Sequence, residues 1–427
     1  MRRRSRSRGS AADRRKLLFF LTPAASLYLV RTLTPPLIQR AFEGRFFLRI
    51  AFIGTRGIPA RYSGFETFAE ELGARLVDRG HEVTVYCRRH HCEELRSMHR
   101  GMRLVRVPGI ATKHLDTISH TFVSCLHALF QPYDIVVMCI SGNSPLAFIP
   151  RLRGTRVVMN VDGSDWRRKK WGRLARAYIK MSEWFSIHLP NATVTDSQVM
   201  RRYYLERYGA ETVCISYGGD MPPSTDDSTL KRLGLRPHEY FLLVGRLVPE
   251  NCAHHLVDAY EALETDLQCV VVGDAPYQEA YIADLKRRGA NVLFTGYLFG
   301  EAYRELMHNA YAVVVCSEVG GTHPVLVEAM AAGNCVVVND TPANLEVVGE
   351  AGLSYSGERG AEALGEALRK IQSDRSEVDR YRVLAVKRAR SQYCWDSVTD
   401  EYERLFGRLS SRPRPGAVTR VGIDGHR

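Results

Sequence analysis

Residues 313–340 read VVVCSEVGGTHPVLVEAMAAGNCVVVND, and the fold follows from how they divide. The apolar, β-branched run 313–316 has the length of a buried strand. The acid Glu318 and the turn Gly320-Gly321-Thr322-His323-Pro324 come next. Val325, Leu326, Ala329 and Met330 are then spaced for one face of a helix, which Gly333 closes. Val336 to Val338 form a second strand. The unit is strand–loop–helix–strand, with a Gly-rich loop at a helix N-terminus. Free backbone N–H groups and the positive end of the helix dipole suit such a loop to an anion. Glu318 and Glu328 flank it.

The same alternation extends upstream. Strands are expected over 240–244, ending in Gly245-Arg246, over 268–272, ending in Gly273-Asp274, and over 292–295. Helical patterns separate them. The polar, Pro-rich run 218–225 reads as a linker. Before it the pattern starts again at Arg49-Ile-Ala-Phe-Ile-Gly54. A glycine-rich loop, 54–64, leads to a helix with Phe68, Leu72 and Leu76 on one face, and then to a strand over 81–86. This β-loop-α-β opening belongs to a doubly wound α/β domain. The loop is not GxGxxG, and Cys87-Arg88-Arg89 rather than an acid ends the second strand, which argues against a nicotinamide dinucleotide. Asn143 and Asp162 stand in polar turns after later strands, where such sheets hold ligands, although both also suit turn formation. Ser63 and Gly64 open a helix and make a second anion-friendly site, with Glu66 in its first turn.

The 427 residues exceed one ordinary domain, and 45% hydrophobic content allows each part a core. We expect an N-terminal extension over 1–48, an α/β domain over 49–219, a second over 220–390, a C-terminal helix over 391–410 that crosses back, and a disordered tail over 411–427. The net charge of +12 favours an anionic partner. Ten cysteines without a CxxC spacing read as reduced thiols in a cytoplasmic protein, with no metal site. His90-His91 and His254-His255 read as structural or exposed. In the extension, basic residues precede the apolar run 17–30, interrupted by Pro23. It is too short to span a bilayer. It reads either as an arm with a helix lying on the protein or as an anchor at a membrane surface.

The second half resembles the retaining glycosyltransferases of the GT-B type, family 4. The resemblance lies in Val244-Gly-Arg-Leu-Val-Pro-Glu250, in Val271-Val-Gly-Asp274, and in the run from Glu318 to Glu328-Ala-Met-Ala-Ala-Gly333. The stretch 54–67, GTRGIPARYSGFET, is similar to a bacterial branch containing rhamnosyltransferases, with an N-terminal domain of the DUF1972 type. The resemblance covers residues 49–408. It implies two Rossmann-like domains facing a central cleft, a nucleotide-diphosphate sugar as donor and a glycan or lipid-linked glycan as acceptor. It implies transfer with retention, no metal or other cofactor and no nucleic-acid partner. Rhamnose from a dTDP donor is the first expectation.

On that resemblance Arg246, Glu318 and Glu328 are the catalytic candidates. Arg246 would grip the diphosphate, and Glu328 would accept hydrogen bonds from the ribose. Gly245, Gly320, Gly321, Thr322, His323 and Pro324 complete the donor site. Gly57, Ser63, Gly64, Glu66, Asn143 and Asp162 form the donor or acceptor side. The chain departs from the family twice. The family leaves seven residues between its two glutamates, whereas nine separate Glu318 from Glu328, and Gly320 stands eight before Glu328. Asn251 stands where the family carries a lysine after the arginine.

Overall fold

The computed structural model describes residues 46–60, 64–92, 96–112, 115–161, 166 and 172–411. The chain divides into two units, Met1–Phe47 and Leu48–Arg427. Only Phe46 and Phe47 of the first are described, and all that follows concerns the second. The expectations for the extension and the C-terminal tail lie outside the described residues, apart from these termini's edges. So do those for Ser63 and Asp162.

Two parallel sheets organise this unit. The first contains β1 (Arg49–Ile53), β2 (Glu82–Arg88), β3 (Met98–His99), β4 (Met102–Val107), β5 (Ile135–Cys139), β6 (Arg156–Val161), β7 (Ala192–Thr195) and β8 (Val213–Cys214). Their order is β3-β4-β2-β1-β5-β6-β7-β8, and the short β3 alone runs antiparallel to its neighbour. Every residue of β5 and β6 is buried. Central parallel strands with helices on both faces require this, so they read as unbroken apolar runs.

Helix α1 (Gly64–Asp78) covers one face of that sheet. Helices α2 (Asp116–Leu129), α3 (Phe148–Arg151), α4 (Arg173–His188) and α5 (Gln198–Tyr208) follow in the chain. Cys125, Ile149 and Tyr204, from α2, α3 and α5, enter the core on the opposite face, and Ile187 of α4 packs against it.

The second sheet contains β9 (Tyr240–Val244), β10 (Gln268–Val272), β11 (Val292–Gly296), β12 (Ala312–Val315), β13 (Cys335–Asn339) and β14 (Leu353–Tyr355). It is wholly parallel, in the order β11-β10-β9-β12-β13-β14. Its helices are α6 (Ser228–Leu233), α7 (Ala253–Glu261), α8 (Glu279–Arg288), α9 (Gly300–His308), α10 (Pro324–Ala331), α11 (Pro342–Val348), α12 (Ala361–Ser373) and α13 (Arg375–Gln392). The opening stretch of sequence is therefore β12, its loop, α10 and β13.

Helix α14 (Trp395–Ser410) ends the described chain and packs with the first sheet. Trp395, Val398, Tyr402, Leu405, Phe406 and Leu409 recur at helical spacing and enter the same core as α1. The Tyr402 ring lies 5.4 Å from that of Phe68. Arg79 and His81 of the first half bond to Glu403.

The joint between the halves differs from a loose linker. Gly218 and Gly219 are buried, and the Gly219 N–H donates to the Tyr393 carbonyl at 2.9 Å. A Cβ on Gly218 would stand 2.4 Å from the Trp395 ring, and one on Gly219 would stand 2.4 Å from Val327. These glycines are demanded by close packing between α10 and α14, not by a need for freedom.

Candidate active site

In the first half, the loop after β1 is held from beneath by two carboxylates one turn apart on α1. Glu66 accepts the Arg56 N–H at 2.7 Å, and Glu70 accepts the Ala60 N–H at 2.6 Å. Glu66 is buried, so its described task is to pin the loop. Gly57 has φ of +120° and lies on the Cys87 side chain, where a Cβ would come within 2.7 Å. Asn143 is also buried. Its amide donates to the Cys139 carbonyl at 2.8 Å, under the close approach of Gly54 to the end of β5. The structure thus gives Glu66 and Asn143 work within the scaffold.

In the second half, β9 and β10 converge at two glycines. The Gly245 N–H donates to the Val272 carbonyl at 3.0 Å, and a Cβ on Gly273 would stand 1.9 Å from the Gly245 oxygen. Arg246 leaves this crossing half-buried. Its guanidinium forms no ion pair among the described residues, and Glu250 does not pair with it. Asn251, at the position of the family's lysine, donates its amide to the Arg246 carbonyl at 2.8 Å and closes the turn. The neighbouring histidines are held by phenols: His254 meets the Tyr281 hydroxyl at 3.0 Å and His255 meets that of Tyr355 at 3.1 Å.

The Gly-rich loop after β12 makes a contact that its sequence does not announce. Asp196, at the end of β7, is buried and reaches across from the first half. It accepts the Thr322 N–H at 2.8 Å, and the Thr322 hydroxyl donates to its carbonyl at 2.8 Å. A Cβ on Gly321 would stand 2.1 Å from the Asp196 carboxylate. The Thr322 N–H, read from sequence as a ligand donor, is occupied by Asp196. A carboxylate of this chain thus meets the loop at Thr322. The arrangement is reciprocal. Glu346 of α11 accepts the N–H groups of Gln198 and Val199 at 2.7 and 2.9 Å, at the start of α5.

Gly320 has φ of +151° and lies beneath the His323 ring, which a Cβ would meet at 2.6 Å. Pro324 fills the space beside Gly64, where a Cβ would stand 2.8 Å from its ring. The two Gly-rich loops, distant in sequence, therefore meet at Pro324 and Gly64. Glu318 is exposed, and its N–H donates to the Glu250 carbonyl at 3.0 Å.

Glu328 is half-buried on α10, and the Tyr303 hydroxyl of α9 donates to its carboxylate. Burial, which penalises the ionised form, pushes the Glu328 carboxyl up to about 7. The Tyr303 bond opposes this, and the negative charge of Glu71 on α1 adds to it. Between the ordinary value of 4.5 and about 7, the folded chain binds more protons at this group than the unfolded chain does. Its contribution to stability is thus present below that window and lost as pH rises through it. Glu328→Gln should remove this loss. Denaturant unfolding at about pH 5 and about pH 8 should show wild type losing up to about 3 kcal/mol more than the variant. An equal change in both proteins would remove the assignment.

Tyr303, Glu71 and Asp196 were not among the residues singled out from sequence. Asp196 carried a usable signal, an acid at a strand end. Tyr303 carried none, since it shares a helix with core residues Leu306 and Met307.

Residues 229–390 match the family described as glycosyl transferases group 1. Residues 48–220 match a domain of unknown function, DUF1972. The chain is a glycosyltransferase of GT-B fold. Its architecture is similar to that of sucrose-phosphate synthase from Thermosynechococcus elongatus, at 18% identity and a TM-score of 0.70 over 85% of this chain and 99% of that one. HepE from Anabaena, solved in complex with UDP-glucose, shares 17% identity at a TM-score of 0.68, over 84% of this glycosyltransferase and 100% of HepE. WaaG, a glycosyltransferase involved in lipopolysaccharide biosynthesis, shares 18% at a TM-score of 0.63, covering 84% and 99%. No match was found among curated proteins. In this glycosyltransferase that match, over residues 229–390, falls on the second half, which carries Arg246, Glu318 and Glu328.

Proposed function

We propose that this glycosyltransferase moves a sugar from a nucleoside diphosphate to a glycan or lipid-linked glycan in cell-surface polysaccharide synthesis, with retention of configuration. The observation that carries this reading is the Arg246 guanidinium, which has no protein partner among the described residues and stands at the C-terminal end of a central parallel strand. Ligands of open α/β sheets gather at such ends, and a guanidinium there matches a diphosphate bidentately. As the sugar–oxygen bond breaks, charge grows on the leaving phosphate, and a fixed cation stabilises it. Glu328, once ionised, accepts the ribose hydroxyls. Glu318 stands at the sugar end of the site. No side chain is assigned as a nucleophile; the departing phosphate takes the acceptor proton on the same face of the sugar. The donor site is assigned no metal. The UDP-glucose complex of HepE supports a nucleoside-diphosphate donor. Rhamnose from dTDP-rhamnose is the first donor to test.

A second reading is a nucleotide-sugar-binding protein without turnover. It is favoured by Asn251 in the lysine position and by the Thr322 N–H already occupied by Asp196. A thermal-shift panel of UDP, dTDP and GDP sugars, followed by product analysis, separates the two. A donor at a hundredfold its dissociation constant should stabilise the fold by about 2.7 kcal/mol. Stabilisation with transfer or slow donor hydrolysis supports the enzyme, and stabilisation without either supports the binding protein. No response to any nucleotide sugar would overturn both.

A further inference from the structure

One side-chain cluster of the second half has no task in donor chemistry. Cys252, His254 and His255 stand at the start of α7. The Cys252 sulfur and a ring nitrogen of each histidine lie within 4.8 Å of one another. Local spacing alone reads these histidines as structural or exposed. In the fold Cys252 is 1% exposed and His255 8%, while His254 is half-buried.

Three features suit the cluster to a metal ion. Both rings are held through Nδ1, which meets the Tyr281 hydroxyl at 3.0 Å in His254 and the Tyr355 hydroxyl at 3.1 Å in His255. A partner on one ring nitrogen fixes the orientation and tautomer of a ligating histidine and leaves its other nitrogen to a metal. Gly360, just before α12, keeps space beside His255, since a Cβ there would stand 3.2 Å from Nε2. Cys252 has φ of +51°, a region that a residue with a side chain enters at a cost. Its thiol makes only a long contact of 3.5 Å to the Pro249 carbonyl, which an ion can replace.

The local charge agrees. Burial holds both imidazoles below their ordinary value, so at neutral pH the rings are uncharged and carry a lone pair. The negative charges of Glu318 and Asp258 act on both rings and offset part of a cation's charge. A second cluster, His90, His91 and Asp116, is a poorer site. Its acid is already paired with Arg88 at 2.6 Å, and that guanidinium repels a cation.

We infer that Cys252, His254 and His255 bind a divalent transition ion of the zinc class. Thiolate and imidazole favour such an ion over magnesium or calcium, which take oxygen ligands. Bonds of about 2.0–2.3 Å to a tetrahedral ion bring ligand atoms to about 3.5 Å from one another, a closure that rotation of the Cys252 and His254 side chains supplies. The Cys252 S–H bond breaks, its proton leaves to solvent, and a sulfur–metal bond forms with no change of oxidation state. Three protein ligands leave a fourth position for water. The ion would fasten the start of α7 just after Asn251, whose amide closes the turn under Arg246. This inference is independent of the donor reading, since it concerns metal content and not turnover.

The test uses the full chain, stripped with a chelator and then dialysed against zinc or cobalt(II). One zinc per chain should be retained. Cobalt should give the intense visible bands of a tetrahedral ion and a thiolate-to-cobalt charge-transfer band in the near ultraviolet. Cys252→Ser should remove the charge-transfer band, and Cys252→Ser and His254→Ala should each weaken zinc binding at least about tenfold. Cys394→Ser, which alters a half-buried thiol elsewhere, should keep both band and affinity. Circular dichroism certifies the fold of each variant, and the cobalt spectrum of the unaltered chain tests the thiolate without any substitution. No retained zinc, or cobalt bound without the charge-transfer band, would overturn the inference. So would zinc affinity that survives both Cys252→Ser and His254→Ala, or that falls only when His90 and His91 are replaced by alanine.

Discussion

Arg246→Ala lowers sugar transfer by about one to three orders of magnitude while leaving the fold intact, as loss of one preorganised contact to a developing charge does. The fold survives because the guanidinium joins no ion pair among the described residues, and because its carbonyl, which Asn251 bonds, is kept by any residue. The loss should be uneven. With Asn251 where the family has a lysine, the diphosphate depends on Arg246 more heavily, so lysine at 246 should recover part of the activity as a point charge without the bidentate fork. Glu328→Gln should cost a similar factor, expressed mainly in donor affinity, because an amide retains one acceptor and loses the charge. Steady-state transfer kinetics with a detected donor check both. Near wild-type turnover in both variants would remove the site assignment.

The second large effect concerns stability. Gly273→Ala should destabilise the protein by about 3–5 kcal/mol, at the extreme of single substitutions. Two costs combine. At φ of +143° a side chain is strained whatever the space, and here there is none, since a Cβ would lie 1.9 Å from the Gly245 oxygen. That oxygen is backbone, so relief requires β9 and β10 to separate where Arg246 begins. Gly296→Ala is the control. Gly296 also has positive φ, at +71°, but nothing lies within 4 Å of the added carbon. It should cost about 1 kcal/mol, the conformational part alone. Denaturant unfolding of the two variants measures the difference. Equal costs would show that the crossing relaxes and that crowding at Gly245 is unimportant.

Much of the candidate site was legible in the chain because its parts are local. A strand end followed by Gly-Arg, or a Gly-rich turn before a helix, places its residues within a few positions of each other. The paired loops were legible as types, and the structure brings them together at Gly64 and Pro324. The acidic residues were less legible. Glu66 reads as a first-turn acid facing an anion site, yet it turns inward to hold the Arg56 N–H. Thr322 reads as a ligand donor, yet its N–H is taken by Asp196, 126 positions earlier. No local pattern could report that contact.

The apolar residues of α2 and α4 show the same limit. Helical spacing identifies a stripe without saying which of two stripes faces the core. The Ile187 side packs against the sheet and the Trp184 side does not, a choice made by the neighbours of α4 in space.

The amino-acid sequence alone determined the alternation of strand and helix, the two α/β halves, the family resemblance and the location of Arg246 after a strand and Glu328 on the helix that follows the Gly-rich loop. Those properties depend on side-chain period and on residues a few positions apart. Only the tertiary structure decided that Gly218 and Gly219 are packed, that Asp196 occupies the loop of the other half, and that Tyr303 and Glu71 act on Glu328. Those depend on groups far apart in the chain, whose meeting is set by sheet order and domain packing.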